Sequence, residues 1–519
     1  MKYTLPEKQI SWLTAVLSRR KERLLWCLIC TAVFSIIANG FSYFNLDPIH
    51  DAVHYTMADD SRWQIELGRF LIPAYSFLKG YISVPFLTGL LSILYLGLSV
   101  FIVTSVLNQR SRLEILLTSA FLSVNLFTVE INAVHQYFAD VFLLSLLLAL
   151  AGVYCLVKDR RSSRAIALIA LFLSFGLYPA FITFAFCLLV FIALLEVVER
   201  REIRKDMVRK WALWAATFAV SGMAYLLSSR IAVLVAHAYP AGKSWSIFAF
   251  GKQDASVLAD QVLFHFKDFF RVFFTGRYTG TAAAVATVLL TVIGLCLFYS
   301  SDLRNNKKWM IPLFVLFALL FPIVSRLVNV VTTMNRAFRT MFAQFLLLPF
   351  ILKLAFLGLQ KWKEVKTAKL HRAMVVSIIA LSSVIVCSNI LFSNQTFTVQ
   401  KVHYERAVYH AGRVLQDLDT VFPERDGTEK VAVIGVVQAK GEYDDISDRI
   451  QTLDGFGTDT GMTYSIVLDT LADYLGCPIN QQQKHIDSVR ALDEVQEMPI
   501  YPAPGYIAKV GDYIVIKLS

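Results

Sequence analysis

Long apolar runs interrupted by short basic clusters set the pattern of this chain from residue 24 to residue 393. Several of the runs reach roughly 18–25 residues, the length that crosses a hydrocarbon core of about 30 Å. The first, residues 24–44, follows Arg19, Arg20, Lys21 and Arg23 and is too long for the apolar core of a signal peptide. It is read as a retained span, with the tail 1–23 held in the cytoplasm by its positive charge. Basic clusters at 110–112, 158–164, 200–210, 304–308 and 361–372 then mark five returns to that side. The predicted spans are 24–44, 82–107, 113–130, 138–157, 165–177, 181–198, 211–234, 281–300, 309–325, 340–358 and 373–393. This odd number, eleven, sends everything after residue 393 outside. The stretch 164–199 is read as two short spans meeting at Gly176-Leu177-Tyr178-Pro179, because both of its flanks are basic; one long tilted helix is the alternative. Outside, residues 45–81 and 235–280 form the long connections, and 261–274 is aromatic and amphipathic enough to lie at the headgroup level.

Composition agrees with this pattern. Of 519 residues 56% are hydrophobic and 17% charged, and the mean hydropathy is +0.55. A soluble globular enzyme, a disulfide-rich secreted scaffold and a disordered chain are excluded. The net charge of +11 divides unevenly: residues 1–393 carry 39 Lys and Arg against 20 Asp and Glu, and residues 394–519 carry 11 against 19. The basic excess therefore orients spans, and no nucleic-acid partner is expected. Six of the seven cysteines fall within spans and only Cys477 lies in the tail, so no disulfide framework is expected. Residues 394–519 read as a small extracytoplasmic α/β domain: a polar amphipathic stretch, a strand-like KVAVIGVV at 430–437, a helix-like 464–475, and a terminal strand pair around Gly511-Asp512. No Walker sequence, dinucleotide glycine pattern or internal repeat is found.

Three groups of polar residues stand out at the expected outer edge. The segment 45–81 holds Asp59, Asp60, Arg62, Trp63, Glu66 and Arg69. Such a set can supply a general base, a neighbour that adjusts its pKa, a cation for phosphate and an aromatic face for sugar or lipid, or it can be an ordinary solvated loop. Glu130, His135 and Asp140 flank the next outer turn, where a buried carboxylate is costly unless it faces a polar cavity or a partner. No second histidine stands at ligand spacing, so an interfacial hydrogen-bonding role for His135 is simpler than metal ligation. Arg326, Arg336 and Arg339 sit where the positive-inside rule disfavours them. Their paired donors suit a lipid-linked phosphate or pyrophosphate, with phospholipid headgroups as the plain alternative. Tyr178-Pro179 either shapes a pocket or ends a helix. Together these groups outline an outer-leaflet cavity able to deprotonate a hydroxyl while holding a departing phosphate, as in lipid-linked sugar or phospho-group transferases. A secondary transporter would concentrate charge near mid-membrane.

The run ADDSRWQIELGRF at 58–70 resembles the first-loop signature of the type II O-antigen glucosyltransferase family, through Asp59, Asp60, Arg62, Trp63, Gly68 and Arg69. FGLYPA at 175–180 and MNRAFRT at 334–340 agree with later family features, and the resemblance covers most of residues 24–393. It implies a polytopic all-α membrane protein of C-type glycosyltransferase-like fold, with about eleven transmembrane helices in residues 24–393 ahead of the domain 394–519. It also implies transfer of a sugar, glucose by family default or another hexose or N-acetylhexosamine, from a polyprenyl-phosphate-linked donor. The acceptor would be a surface polysaccharide or lipid-linked glycan on the outer face of the bacterial cytoplasmic membrane, and the anomeric centre would invert. By this resemblance Asp60 or Asp59 is the base, Arg62 and Arg69 orient acids or phosphate, and the donor phosphate departs toward Arg336 or Arg339. With the residues singled out above, the expected substrate-binding set is Arg62, Trp63, Arg69, Glu130, His135, Asp140, Tyr178, Arg336 and Arg339. Pro179 stands where many relatives are expected to carry glutamine, which places that polar contact in question. No cofactor or obligatory metal is expected, although vicinal aspartates can hold a divalent cation. Membrane lipid and surface-polysaccharide assembly proteins are the expected partners. The alternative reading is a flippase, transporter or polymerase of lipid-linked glycans.

Overall fold

The computed structural model describes residues 7–47, 61–81, 84–239, 254–300, 309–332, 337–365, 367–437, 468, 472, 475–481 and 486–519. Among these, eight helices are long and apolar enough to cross a membrane: Arg20–Phe44, Pro85–Val106, Gln136–Lys158, Pro179–Arg200, Lys205–Val235, Thr281–Phe298, Phe342–Trp362 and Ala368–Val421. The chain is a polytopic membrane protein. The pair Arg112–Ser123 and Leu126–Ala133, bent by 44°, makes a ninth if it is counted as one span.

Of the eleven expected spans, 113–130, 165–177 and 309–325 are apolar and helical but shorter or bent, and each has a local cause. Residues 113–130 are broken at Asn125, whose side chain accepts from the Phe127 and Thr128 N–H groups while the Thr128 hydroxyl accepts from the Asn125 N–H. This capping box starts a new helix inside an apolar run, because it satisfies N–H groups that a helix start leaves open. Arg161–Leu177 has only 17 residues, with two arginines in its first turn. It stops at Tyr178, which is extended (φ −155°, ψ 103°) ahead of Pro179, as the ring of a following proline favours. Met310–Val324, 15 residues long, contains Pro322 and gives way to the short helix Leu327–Thr332.

Glycines set the closest helix contacts. A Cβ on Gly89 would lie 2.5 Å from the Tyr43 ring, one on Gly152 2.9 Å from Leu171, and one on Gly358 2.6 Å from the Leu297 backbone. Small residues of this kind let membrane helices approach closely where lipid gives no hydrophobic drive for association. All seven cysteines are free.

The last bundle helix, Ala368–Val421, runs unbroken for 54 residues. The boundary expected at 394 therefore falls inside one helix. Its first part docks beside the N-terminal helix, where the Ser393 hydroxyl donates to Ala38 O. Its last turns, through Ala411, Val414 and Leu418, carry a four-stranded sheet. The strands are β1 (Lys430–Ile434), β2 (Asn480–Gln481), β3 (Ile507–Val510) and β4 (Tyr513–Lys517), in the order β2-β1-β4-β3. β1 is parallel to β2 and β4, whereas β3 and β4 form an antiparallel hairpin through Gly511 (φ 57°) and Asp512. Most of the helix-like stretch 464–475 lies outside the described residues.

Candidate functional site

The segment 45–81 re-enters the described structure at the one-and-a-half-turn helix Ser61–Glu66. Asp59 and Asp60 immediately precede it in the sequence and, like Arg336, lie outside the described residues. Arg62 points outward, pairing with Glu66 at 3.4 Å and donating to His237 O at 3.2 Å, and Trp63 is half-buried. The chain then turns at Gly68 (φ 83°). Arg69 is held inward, with Nη1 donating to Gln64 Oε1 at 3.1 Å and the guanidinium 4.8 Å above the Tyr178 ring. The Leu71 N–H donates to Gly176 O at 3.0 Å. This bond fastens the first segment to the broken helix pair, which is how residues a hundred positions apart come together.

Tyr178 is buried, its ring 4.4 Å from that of Phe142. Its carbonyl accepts from the Ser145 hydroxyl at 3.0 Å. Arg339 stands in a 3₁₀ turn, Phe338–Thr340. That turn is clamped by Glu130, fully buried near the end of the broken half-helix. Glu130 Oε2 accepts from the Phe338 N–H at 3.1 Å, and Oε1 accepts from the Arg339 N–H at 3.1 Å and from Arg339 Nη1 at 3.3 Å. A buried carboxylate holding two backbone N–H groups and a guanidinium is among the stronger polar contacts a protein makes.

Arg69, Tyr178 and Arg339 line one cavity of about 400 Å³. The rest of its wall is mainly apolar and includes Leu67, Tyr225, Leu226 and Val331. This lies within the roughly 300–1,000 Å³ usual for small-molecule sites.

The other expected residues lie apart from that cavity. His135 is buried, with Nδ1 3.4 Å from the Tyr137 hydroxyl and its ring edge-on to Phe142. Asp140 is fully buried and bound to Lys79 Nζ at 2.8 and 3.0 Å and to the Tyr75 hydroxyl at 2.8 Å. Its negative charge is thereby matched within the protein. Arg326 is not at a solvent edge: it is fully buried, with Nε and Nη2 donating to Gln344 Oε1 and Nη1 to Asp268 Oδ2 at 2.9 Å. Lys79 was missed from the sequence, although it carried the signal that singled out the arginines, a cation on the disfavoured side. Gln64 gave no signal. Among the described residues no group of three or more His, Cys, Asp or Glu side chains stands close enough to hold a metal ion.

The model of the glucosyl transferase GtrII family matches residues 40–352, a stretch that contains every wall of this cavity. The chain belongs to this family. It is a membrane glucosyltransferase, with a sugar donor and an acceptor as its substrates. No curated protein and no solved structure matches it. The cavity of this glucosyltransferase brings two cations and a buried tyrosine into an otherwise greasy lining.

Proposed function

We propose that the protein transfers glucose from a polyprenyl-phosphate-linked donor to a surface polysaccharide or lipid-linked glycan at the outer face of the bacterial cytoplasmic membrane. The observation that carries this reading is the meeting of Arg69 and Arg339 in the lining of one cavity that is otherwise mainly apolar. Asp60, with Asp59 beside it, takes the proton from the acceptor hydroxyl. The acceptor oxygen bonds to the sugar C1 as the bond from C1 to the phosphate oxygen breaks, so the anomeric centre inverts. The lipid monophosphate leaves with the electron pair, and its growing charge is met by Arg69, Arg339 and, from the same loop, Arg336. In this scheme Tyr178 keeps Arg69 aimed into the cavity, and Arg62 and Trp63 border the side from which the acceptor arrives. His135 and Asp140 support the walls rather than touch substrate. The tail 394–519 stands on the outer side as the part nearest to acceptor and to polysaccharide-assembly partners.

The test is glucose transfer in proteoliposomes from a polyprenyl-phosphate glucose. Asp60→Asn should abolish it, and Asp59→Asn should abolish or strongly reduce it, while both variants still insert and keep the wild-type Tm. Full activity in both variants would overturn the assignment of the base. Movement of an intact glycolipid with no new glycosidic bond would overturn the reaction itself.

A further inference from the structure

Gly222 occupies the middle of the helix Lys205–Val235 and lines the cavity together with Tyr225 and Leu226, three and four residues further on and so on the same helix face. A glycine inside a helix costs about 1 kcal/mol relative to alanine, so its presence calls for a cause. At six other bundle glycines the cause is close packing: a Cβ on Gly89, Gly97, Gly152, Gly176, Gly294 or Gly358 would come within 3.0 Å of a neighbouring helix or loop, whereas Gly40 meets only an ordinary contact at 3.6 Å and lines no described cavity. Gly222 has no such neighbour, for no heavy atom among the described residues lies within 4 Å of a Cβ built there. The missing side chain enlarges the cavity instead of admitting a helix.

The depth of this position gives the space a direction. The Ser229 hydroxyl, two turns along the same helix, donates to Gly68 O at 3.5 Å, one residue before Arg69. Gly222 therefore lies about 10 Å along the helix from the level of Gly68, at 1.5 Å per residue, toward the centre of the span and one turn beyond Tyr225, which shares the cavity wall with Arg69. The wall there opens sideways, since Leu226 and Leu327, on its two sides, are 48% and 43% exposed. A hollow of about 400 Å³ cannot enclose a polyprenyl chain, so a chain whose head sits at Arg69 and Arg339 must leave it through a side.

We infer that Gly222 is the sill of a lateral opening between the helices Lys205–Val235 and Leu327–Thr332, through which the isoprenoid chain of a lipid monophosphate passes into the bilayer. Gly222 thereby sets which chain lengths and shapes the enzyme accepts. This rests on the donor proposed above, and it predicts an unusual combination: substitutions at Gly222 remove a poor helix former and leave folding intact or improved, yet exclude the natural kind of donor.

The experiment compares wild type, Gly222→Ala, Gly222→Leu and Gly222→Phe in proteoliposomes with two donors, a long-chain polyprenyl-phosphate glucose and citronellyl-phosphate glucose, whose tail ends inside the cavity. The expected result is a loss of kcat/KM for the long-chain donor of about tenfold or more with Leu and Phe, a displacement of a few wall methylenes. The short donor, whose tail ends before the opening, should lose less than the long-chain donor in the same variants, so that the ratio of long-chain to short-chain kcat/KM falls from wild type to Gly222→Ala, Gly222→Leu and Gly222→Phe. Tm should be no lower than wild type in Gly222→Ala. Equal losses with both donors, or none with either, would overturn the inference. If the wild-type protein transfers glucose from neither donor, the donor assignment fails, and binding of sugar-free polyprenyl phosphate, followed by thermal shift, decides the inference separately. Weaker binding by Gly222→Phe than by wild type supports it; equal binding, or equal displacement by phosphatidylglycerol, overturns it.

Discussion

Glu130→Gln isolates one element of the site, the carboxylate that clamps the Phe338–Thr340 turn. An amide offers one oxygen in place of two. Whichever way it turns, one of the backbone N–H groups at Phe338 and Arg339 meets an NH₂ instead of an acceptor, and the Arg339 guanidinium loses its ionic partner at 3.3 Å. A hydrogen bond to a charged group contributes about 1.5–3 kcal/mol, or roughly ten- to hundredfold in a rate or binding constant. If Glu130 acts by aiming Arg339 into the cavity, that loss should appear in the donor step. In a proteoliposome assay with the donor varied, donor kcat/KM should fall by about ten- to hundredfold, the fold-change equivalent of that bond, while acceptor KM stays at the wild-type value. A double-mutant cycle sharpens the test, because Glu130→Gln combined with Arg339→Gln should be no slower than Arg339→Gln alone. Additive losses, or wild-type donor kinetics in Glu130→Gln, would refute the clamp.

Other outcomes follow from neighbouring features. Lys79→Met leaves the buried Asp140 carboxylate without its ion pair and should destabilise the protein by about 3–5 kcal/mol, read as a fall in Tm in detergent; Lys79→Met with Asp140→Leu should recover much of that. The Tyr506 hydroxyl donates to Asp417 at 2.7 Å, and burial first, then that carboxylate, holds its pKa above the ordinary tyrosine value. Its contribution is thus complete below a pH of about 10 and is lost as pH rises beyond it. Limited proteolysis of the C-terminal sheet should accelerate in alkali for wild type, with a smaller pH response in Tyr506→Phe. Chelators should leave glucose transfer unchanged; abolition reversed by one divalent cation would assign a metal to the vicinal aspartates.

Spans were legible in the sequence wherever an apolar run was long and flanked by basic residues, because partition into a bilayer depends on composition alone. Breaks inside apolar runs were harder to read. Tyr178-Pro179 was readable because proline constrains the residue before it, whereas Asn125 was passed over, although its hydrogen bonds to Phe127 and Thr128 bend the chain as firmly. The site was legible as a list of charges in the wrong places, but not as to which charges answer one another. Arg69, Tyr178 and Arg339 do meet in one cavity. Arg326 and Asp140, chosen by the same reasoning, turn inward to Asp268 and Lys79, and no periodicity links positions sixty residues apart. Gly222 was unreadable for a different reason. A glycine in a helical run looks alike whether it admits a helix, a ligand or nothing, and only its surroundings tell these apart.

The unbroken helix Ala368–Val421 joins bundle to sheet with no hinge along its length. At 1.5 Å per residue its 54 residues extend about 81 Å, against a hydrocarbon core of about 30 Å. The azimuth of the sheet around that axis is therefore fixed by residue count. Inserting a single alanine between the last bundle contacts, at Gln400 and Lys401, and the sheet contacts at Ala407 would swing the sheet by about 100° for a lift of only 1.5 Å. Inserting about eighteen, five whole turns, would raise it by about 27 Å and return it to nearly the same heading. The chain thus carries a built-in protractor and ruler, and the two insertions separate whether the sheet must face a given direction or stand at a given height.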